Sequence, residues 1–114
     1  MYIGTMKLNE IMNKVNLEMK KIYGNKLNKV ILYGSYARQQ ENDESDIDIM
    51  VLVDDNNSNL KKYDDAVLDF EVDMNLEYDI VLSIYAKSLM EYQSYIEVLP
   101  FLKNVNREGK VYYG

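Results

Sequence analysis

Neither cysteine nor histidine occurs in this chain. Without thiols there is no disulfide framework and no thiolate metal site. Without imidazole there is no Ser-His triad, no histidine-bound zinc and no side-chain base that titrates near neutrality by nature. Catalysis, if present, must rest on carboxylates, lysine, arginine, tyrosine, serine and a hard metal ion. Basic residues are also outnumbered, 13 against 19 acids, for a net charge of −6. That balance disfavours direct nucleic-acid binding, which needs lysine and arginine against phosphate. It suits a basic protein partner, a cationic substrate or metal ions. No apolar run approaches the roughly 20 residues of a membrane span. The opening MYIGTMKLNE lacks the basic and apolar regions of a secretory signal, so the expected location is the cytoplasm.

What is present is a greasy chain, 47% hydrophobic over 114 residues, enough for one cored domain spanning 1–114. Leu8, Ile11, Met12, Val15, Met19, Ile22 and Tyr23 recur at helical spacing. They predict a helix from Met6 to Tyr23, with Thr5 as N-cap and Gly24 as the stop. Lys29 to Tyr33 reads as a short buried strand. Gly34-Ser35 ends it, YARQQ is expected to form a short helix, and ENDES a polar loop. SDIDIMVLV is the second strand, with Asp46, Asp48, Met50 and Leu52 on one face and Ile47, Ile49, Val51 and Val53 on the other. From Leu68 to Ile80 apolar residues alternate as in a strand, but over a length unusual for one. The reading preferred is a helix from Leu60 to Met74 and a strand from Tyr78 to Ala86. A further helix opens at Ser88. Pro100 and Gly109 bracket another, PFLKNVNRE, before KVYY as a last strand or tail. The order predicts a small α/β (α+β) fold, a mixed β-sheet with packed helices.

An acid-x-acid pair is weak evidence alone, since Asp69, Glu71 and Asp73 show the same spacing in DFEVD. The surroundings of Asp46 and Asp48 give that pair its weight. Alternate residues of a strand lie on one face about 7 Å apart, and their carboxylates can converge on divalent ions ~3.5–4 Å apart. Oxygen ligands suit Mg²⁺, which takes a few carboxylates plus substrate phosphates. A Gly-Ser turn after a strand offers backbone N–H groups and a hydroxyl to phosphate. Metal carboxylates beside a phosphate-binding turn describe nucleotidyl transfer.

Gly34-Ser35, ten residues, then Asp46-x-Asp48 resembles the signature of the DNA polymerase β-type nucleotidyltransferase superfamily, with its palm-like fold. Within it, ILYGSYAR, SDIDIMVLV, YDIVLSIY and FLKNVNREGKVYY resemble the minimal nucleotidyltransferase (MNT) family, the MntA-type antitoxins encoded beside HEPN-domain toxins. The resemblance implies that Gly34 and Ser35 contact the phosphates of ATP; Arg38, where the family often has arginine, is a candidate to pair with phosphate or with the loop carboxylates, against the alternative of a plain surface ion pair. It implies two Mg²⁺ ions on Asp46 and Asp48, and a third carboxylate, Asp79, on a later strand. Tyr36 is a candidate to lie over the nucleotide. Gln39 stands where the family often has glycine, which puts the loop's shape in question. The implied reaction is AMPylation of a tyrosine on a cognate HEPN ribonuclease toxin, which would neutralise it. Two other readings remain at this stage: an antitoxin acting by binding alone, and a small-molecule (aminoglycoside-type) adenylyltransferase.

Overall fold

The computed structural model describes residues 4–42 and 45–114. The first helix, α1 (Thr5–Tyr23), begins one residue earlier than expected, with Gly4 rather than Thr5 at the N-cap. Its inward face is the predicted one: Ile11, Met12, Val15, Met19 and Tyr23 are buried, and Leu8 and Ile22 pack beside them. A 3₁₀ turn (Gly24–Lys26) leads into β1 (Leu27–Tyr33). After the Gly-Ser turn comes β2 (Ile47–Val53). Asp43 and Glu44 of the expected polar loop lie outside the described residues.

The following segment differs from expectation. A short α2 (Asn57–Leu60) and a 3₁₀ turn precede α3 (Asp64–Tyr78), and β3 runs from Leu82 to Ser88. The helix thus extends four residues beyond Met74, and Tyr78 belongs to it rather than to the strand. Asn75 and Asp79 account for the shift. Asp79 closes the helix in the left-handed conformation (φ 55°), its N–H donating to the carbonyl of Asn75. The Asn75 side chain then accepts the Leu82 N–H at 2.8 Å, which starts the strand.

Ser88 caps α4 (Leu89–Tyr95), its hydroxyl accepting from Glu91 N–H. Pro100 opens α5 (Pro100–Glu108), and Gly109 ends it as the sequence predicts. The last segment is a strand, β4 (Lys110–Tyr113).

The sheet order is β3-β2-β1-β4, antiparallel except for the parallel β2–β3 pair. The single parallel pair follows from the helical crossover between those two strands. β2 is buried on both faces. Ile47, Ile49, Val51 and Val53 pack with residues of α1 and α3, whereas Met50 and Leu52 pack with Tyr92, Leu102 and Val105 of α4 and α5. The predicted two-faced strand is therefore present, and Asp48 falls on the α4/α5 face by alternation.

Candidate active site

Glycine at position 34 follows from its neighbours. Its φ of +78° is one that side-chain-bearing residues avoid. A Cβ placed there would collide with the Asp48 carboxylate, whose Cγ would lie 3.3 Å away. Asp48 sits directly across the β1–β2 ladder from Tyr33. The end of one strand and the start of the next thus press a carboxylate against a backbone turn.

The turn closes on itself. Arg38 N–H donates to the Gly34 carbonyl at 3.2 Å, and Gln40 N–H to the Ser35 carbonyl at 2.9 Å. Residues 34–40 form turns rather than the short helix expected for YARQQ. Gln39 takes up φ 58°, in the left-handed region where glycine would sit without strain. Tyr36 and Ala37 drop into the α1/α3 core, with Tyr36 only 4% exposed. Tyr36 therefore does not lie over the site, contrary to expectation: it fills the interior beneath the turn.

Asp46 is exposed, just before β2, and Asp48 is partly buried two residues on. Burial, and secondarily the charge of Asp46, raise the Asp48 pKa above the ordinary carboxylate value. Arg38 offsets part of this. Two like charges in a partly desolvated position favour either a proton or a cation between them. Arg38 is itself engaged: its Nε donates to Gln40 Oε1 (3.2 Å), and a terminal nitrogen stands 3.5 Å from Glu108.

The third expected acid does not join the pair. Asp79 is exposed at the end of α3, three residues before β3 begins. The β2–β3 register sets Ser83, not an acid, opposite Asp48. Among the described residues no group of three acidic side chains could hold a metal ion. The expectation of a strand-borne Asp79 rested on a strand starting at Tyr78, and the longer helix removes that basis.

Sequence reasoning missed the aromatic wall beside the carboxylates. Tyr33 meets Phe101 edge to face (5.6 Å between centroids), and Phe101 stacks with Tyr85 at 6.4 Å. Burial, with the nearby Asp48 charge, holds the Tyr33 hydroxyl above its ordinary pKa. Strand alternation would have put Tyr33 on this face. Nothing local to α5 announces Phe101.

Two carboxylates fit a Mg²⁺ site of the kind completed by substrate phosphates, because Mg²⁺ is commonly held by one or two carboxylates plus phosphate oxygens. A broader groove of about 620 Å³, lined by Lys14, Leu17, Phe70, Met74 and Glu77, lies between α1 and α3 and includes neither aspartate.

The family follows from comparison with known proteins. Residues 13–113 match the family model described as Polymerase beta, Nucleotidyltransferase. Two relatives from Methanocaldococcus jannaschii are each 34% identical. "Putative protein adenylyltransferase MJ0141" aligns over 74% of this chain and 85% of its own length, and "Putative protein adenylyltransferase MJ0604" over 83% and 87%. A solved toxin-antitoxin structure with AMP-PNP superposes with a TM-score of 0.59 at 21% identity, covering 90% of this chain and 73% of the other. A mutant of the toxin-antitoxin MntA-HpeT gives 0.57 at 20% identity, covering 90% and 72%. At such identities these two structures speak to the fold. With a palm-like sheet, a glycine turn braced by a strand aspartate, and a family match over nearly the whole chain, this protein belongs to the polymerase β-type nucleotidyltransferases.

Proposed function

We infer that the chain is an Mg²⁺-dependent adenylyltransferase that moves AMP from ATP to a tyrosine of a HEPN-type toxin and thereby neutralises it. The observation that carries this reading is the contact between Gly34 and Asp48. It supports the reading because a Gly-Ser turn suited to phosphate lies directly against a carboxylate suited to Mg²⁺. Mg²⁺, when bound, supplies charge neutralisation along the triphosphate and lowers the acceptor hydroxyl's pKa.

The chain's own groups do the rest. Gly34 and Ser35 hold phosphate oxygens through backbone N–H groups and the Ser35 hydroxyl. Arg38 exchanges its long contact with Glu108 for a charge-assisted bond to phosphate. Asp46 and Asp48 bind the metal and orient the α-phosphorus for in-line attack. The tyrosine oxygen forms the new bond to that phosphorus, the bond to the bridging oxygen breaks, and pyrophosphate leaves. The hydroxyl proton passes to a site carboxylate. Asp79, exposed at its helix end, has no part in this reading.

A protein acceptor suits the architecture. Asp46 is exposed and Asp48 only partly buried, so a partner can reach the pair. A partner completes the site, and a chain of net charge −6 favours a basic one. Among the described residues no helix is long and apolar enough to cross a membrane.

The test uses ATP labelled at the α-phosphate, Mg²⁺ and the purified product of the neighbouring gene. Label should move to a tyrosine of that protein, and should not move with Asp46→Asn or Asp48→Asn. Neutralisation that survives the double substitution would instead mark an antitoxin acting by occlusion.

A further inference from the structure

Beyond the nucleotidyltransferase reading and independent of it, we propose that the outward face of α3 docks a basic amphipathic α-helix of a protein partner. The helix α3 is apolar on two faces. Val67, Phe70 and Met74 turn inward to the core, while Leu68, Val72 and Leu76 stand outward, each roughly half or more exposed. A helix that is apolar all round is ordinarily buried, so the outward row calls for a second layer. Its three side chains are spaced four apart and form one continuous ridge along the helix.

Charge defines the occupant. Asp65, Asp69 and Asp73 repeat at the same interval, run beside the apolar ridge and are all exposed. Residues four apart on a helix are neighbours, so Asp65 with Asp69 and Asp69 with Asp73 are like-charge pairs that weaken the helix. Among the described residues none of the three is in an ion pair. The lysines of the α1/α3 groove are otherwise engaged: Lys14 holds Glu77 at 2.6 Å, Lys21 stands 3.8 Å from Glu18, and Lys20 lies over the Tyr113 ring. A partner helix with a row of lysine or arginine beside an apolar seam meets both rows at once, by anchors at helical spacing and by complementary charge.

The surroundings favour a helix over a strand. β3 is the sheet edge beside α3, but α3 itself takes the outward N–H groups of that edge. Leu82 donates to Asn75 and Ile84 to Glu71, so an added strand finds those donors occupied. A second copy of this chain is also disfavoured, since it would bring the same aspartate row and a net charge of −6 to the contact. A helix docked on α3 leaves the candidate active site open. The β2 residues that pack with α3 are Ile47, Ile49, Val51 and Val53, whereas Asp48 falls on the opposite face.

Titration of the full chain with two synthetic helical peptides, followed by ¹⁵N NMR, tests the proposal. Both peptides carry leucine at every fourth position; one has a lysine row beside it and the other a glutamate row. At ~50 mM salt the lysine peptide should bind at least about tenfold more tightly and shift the amides of Leu68, Val72 and Leu76. That preference should shrink at ~1 M salt, where charges are screened within about 3 Å. Leu68→Ser with Leu76→Ser should weaken the lysine peptide at least about tenfold. Asp69→Asn with Asp73→Asn should bring the two peptides within about threefold of each other. All four substitutions are at exposed positions, and dispersed amide spectra report that the variants fold. Absence of binding by the lysine peptide, equal binding of both peptides to the wild-type chain, or shifts confined to another surface overturns the proposal. Self-association in sedimentation that Leu68→Ser with Leu76→Ser abolishes would make a second copy the occupant and overturn it as well.

Discussion

At residue 34 one missing methyl group lets the Gly-Ser turn and the Asp48 carboxylate lie in contact. Gly34→Ala would force a Cβ into the Asp48 carboxylate at a backbone angle that costs about 1–2 kcal/mol by itself. Transfer activity should fall at least ~100-fold, as misplacements of about 1 Å can cause. Steady-state kinetics would show it. Asp48 has the opposite relation to stability. Its raised pKa means that the folded state favours the protonated form, so at neutral pH the charged carboxylate opposes folding. Asp48→Asn should abolish activity yet raise stability at neutral pH. The gain should vanish as pH falls below the ordinary carboxylate range, which denaturant titration at two pH values would reveal. Gln39→Gly should stabilise the turn by about 0.5–1 kcal/mol, since φ 58° suits glycine. Gly34, Asp46 and Asp48 were legible in the sequence because a strand's alternation and a turn's chemistry are local. Phe101 was not, because it reaches the site only through the packing of α5 against β1.

Among the elements, α1, β1 and β2 could be read directly because their apolar periods are unambiguous. The stretch from Leu68 to Ile80 could not. Its alternating apolar residues include Leu68, Val72 and Leu76, spaced one helical turn apart and all exposed, with Leu76 at 80%. Residues four apart satisfy both a helical ladder and a strand's alternation, so only the terminating contacts of Asn75 and Asp79 decide. The same helix steadies the sheet edge. Glu71 accepts the Ile84 N–H at 2.8 Å and Asn75 accepts that of Leu82, so one helical turn spans two strand residues. Glu71→Ala leaves a partly buried donor unsatisfied and should cost about 1–2 kcal/mol, with faster hydrogen exchange at Ile84. At the exit of β2, Asp55 is held down to about 2 from 3.8 by Asn59, by Lys26 and by the Asn56 N–H. A lowered folded pKa stabilises above the unfolded value and is lost as pH falls through the folded one. The Asp55 carboxyl should therefore titrate near pH 2 by NMR, and its contribution should fade below about pH 4.

On the scale of the whole molecule, the sequence predicted a mixed sheet with packed helices but not its strand order. That order depends on contacts between residues far apart in the chain. The β3-β2-β1-β4 arrangement puts β1 and β2 side by side at the centre, and this is what brings Gly34 to Asp48. The central claim is that the aspartate pair and the turn together hold the nucleotide through a metal. Calorimetric titration of ATP with and without Mg²⁺ tests it most directly. Wild-type protein should bind ATP at least tenfold more tightly with Mg²⁺, and Asp48→Asn should erase that difference. Equal binding with and without Mg²⁺, unchanged by Asp48→Asn, would contradict the account.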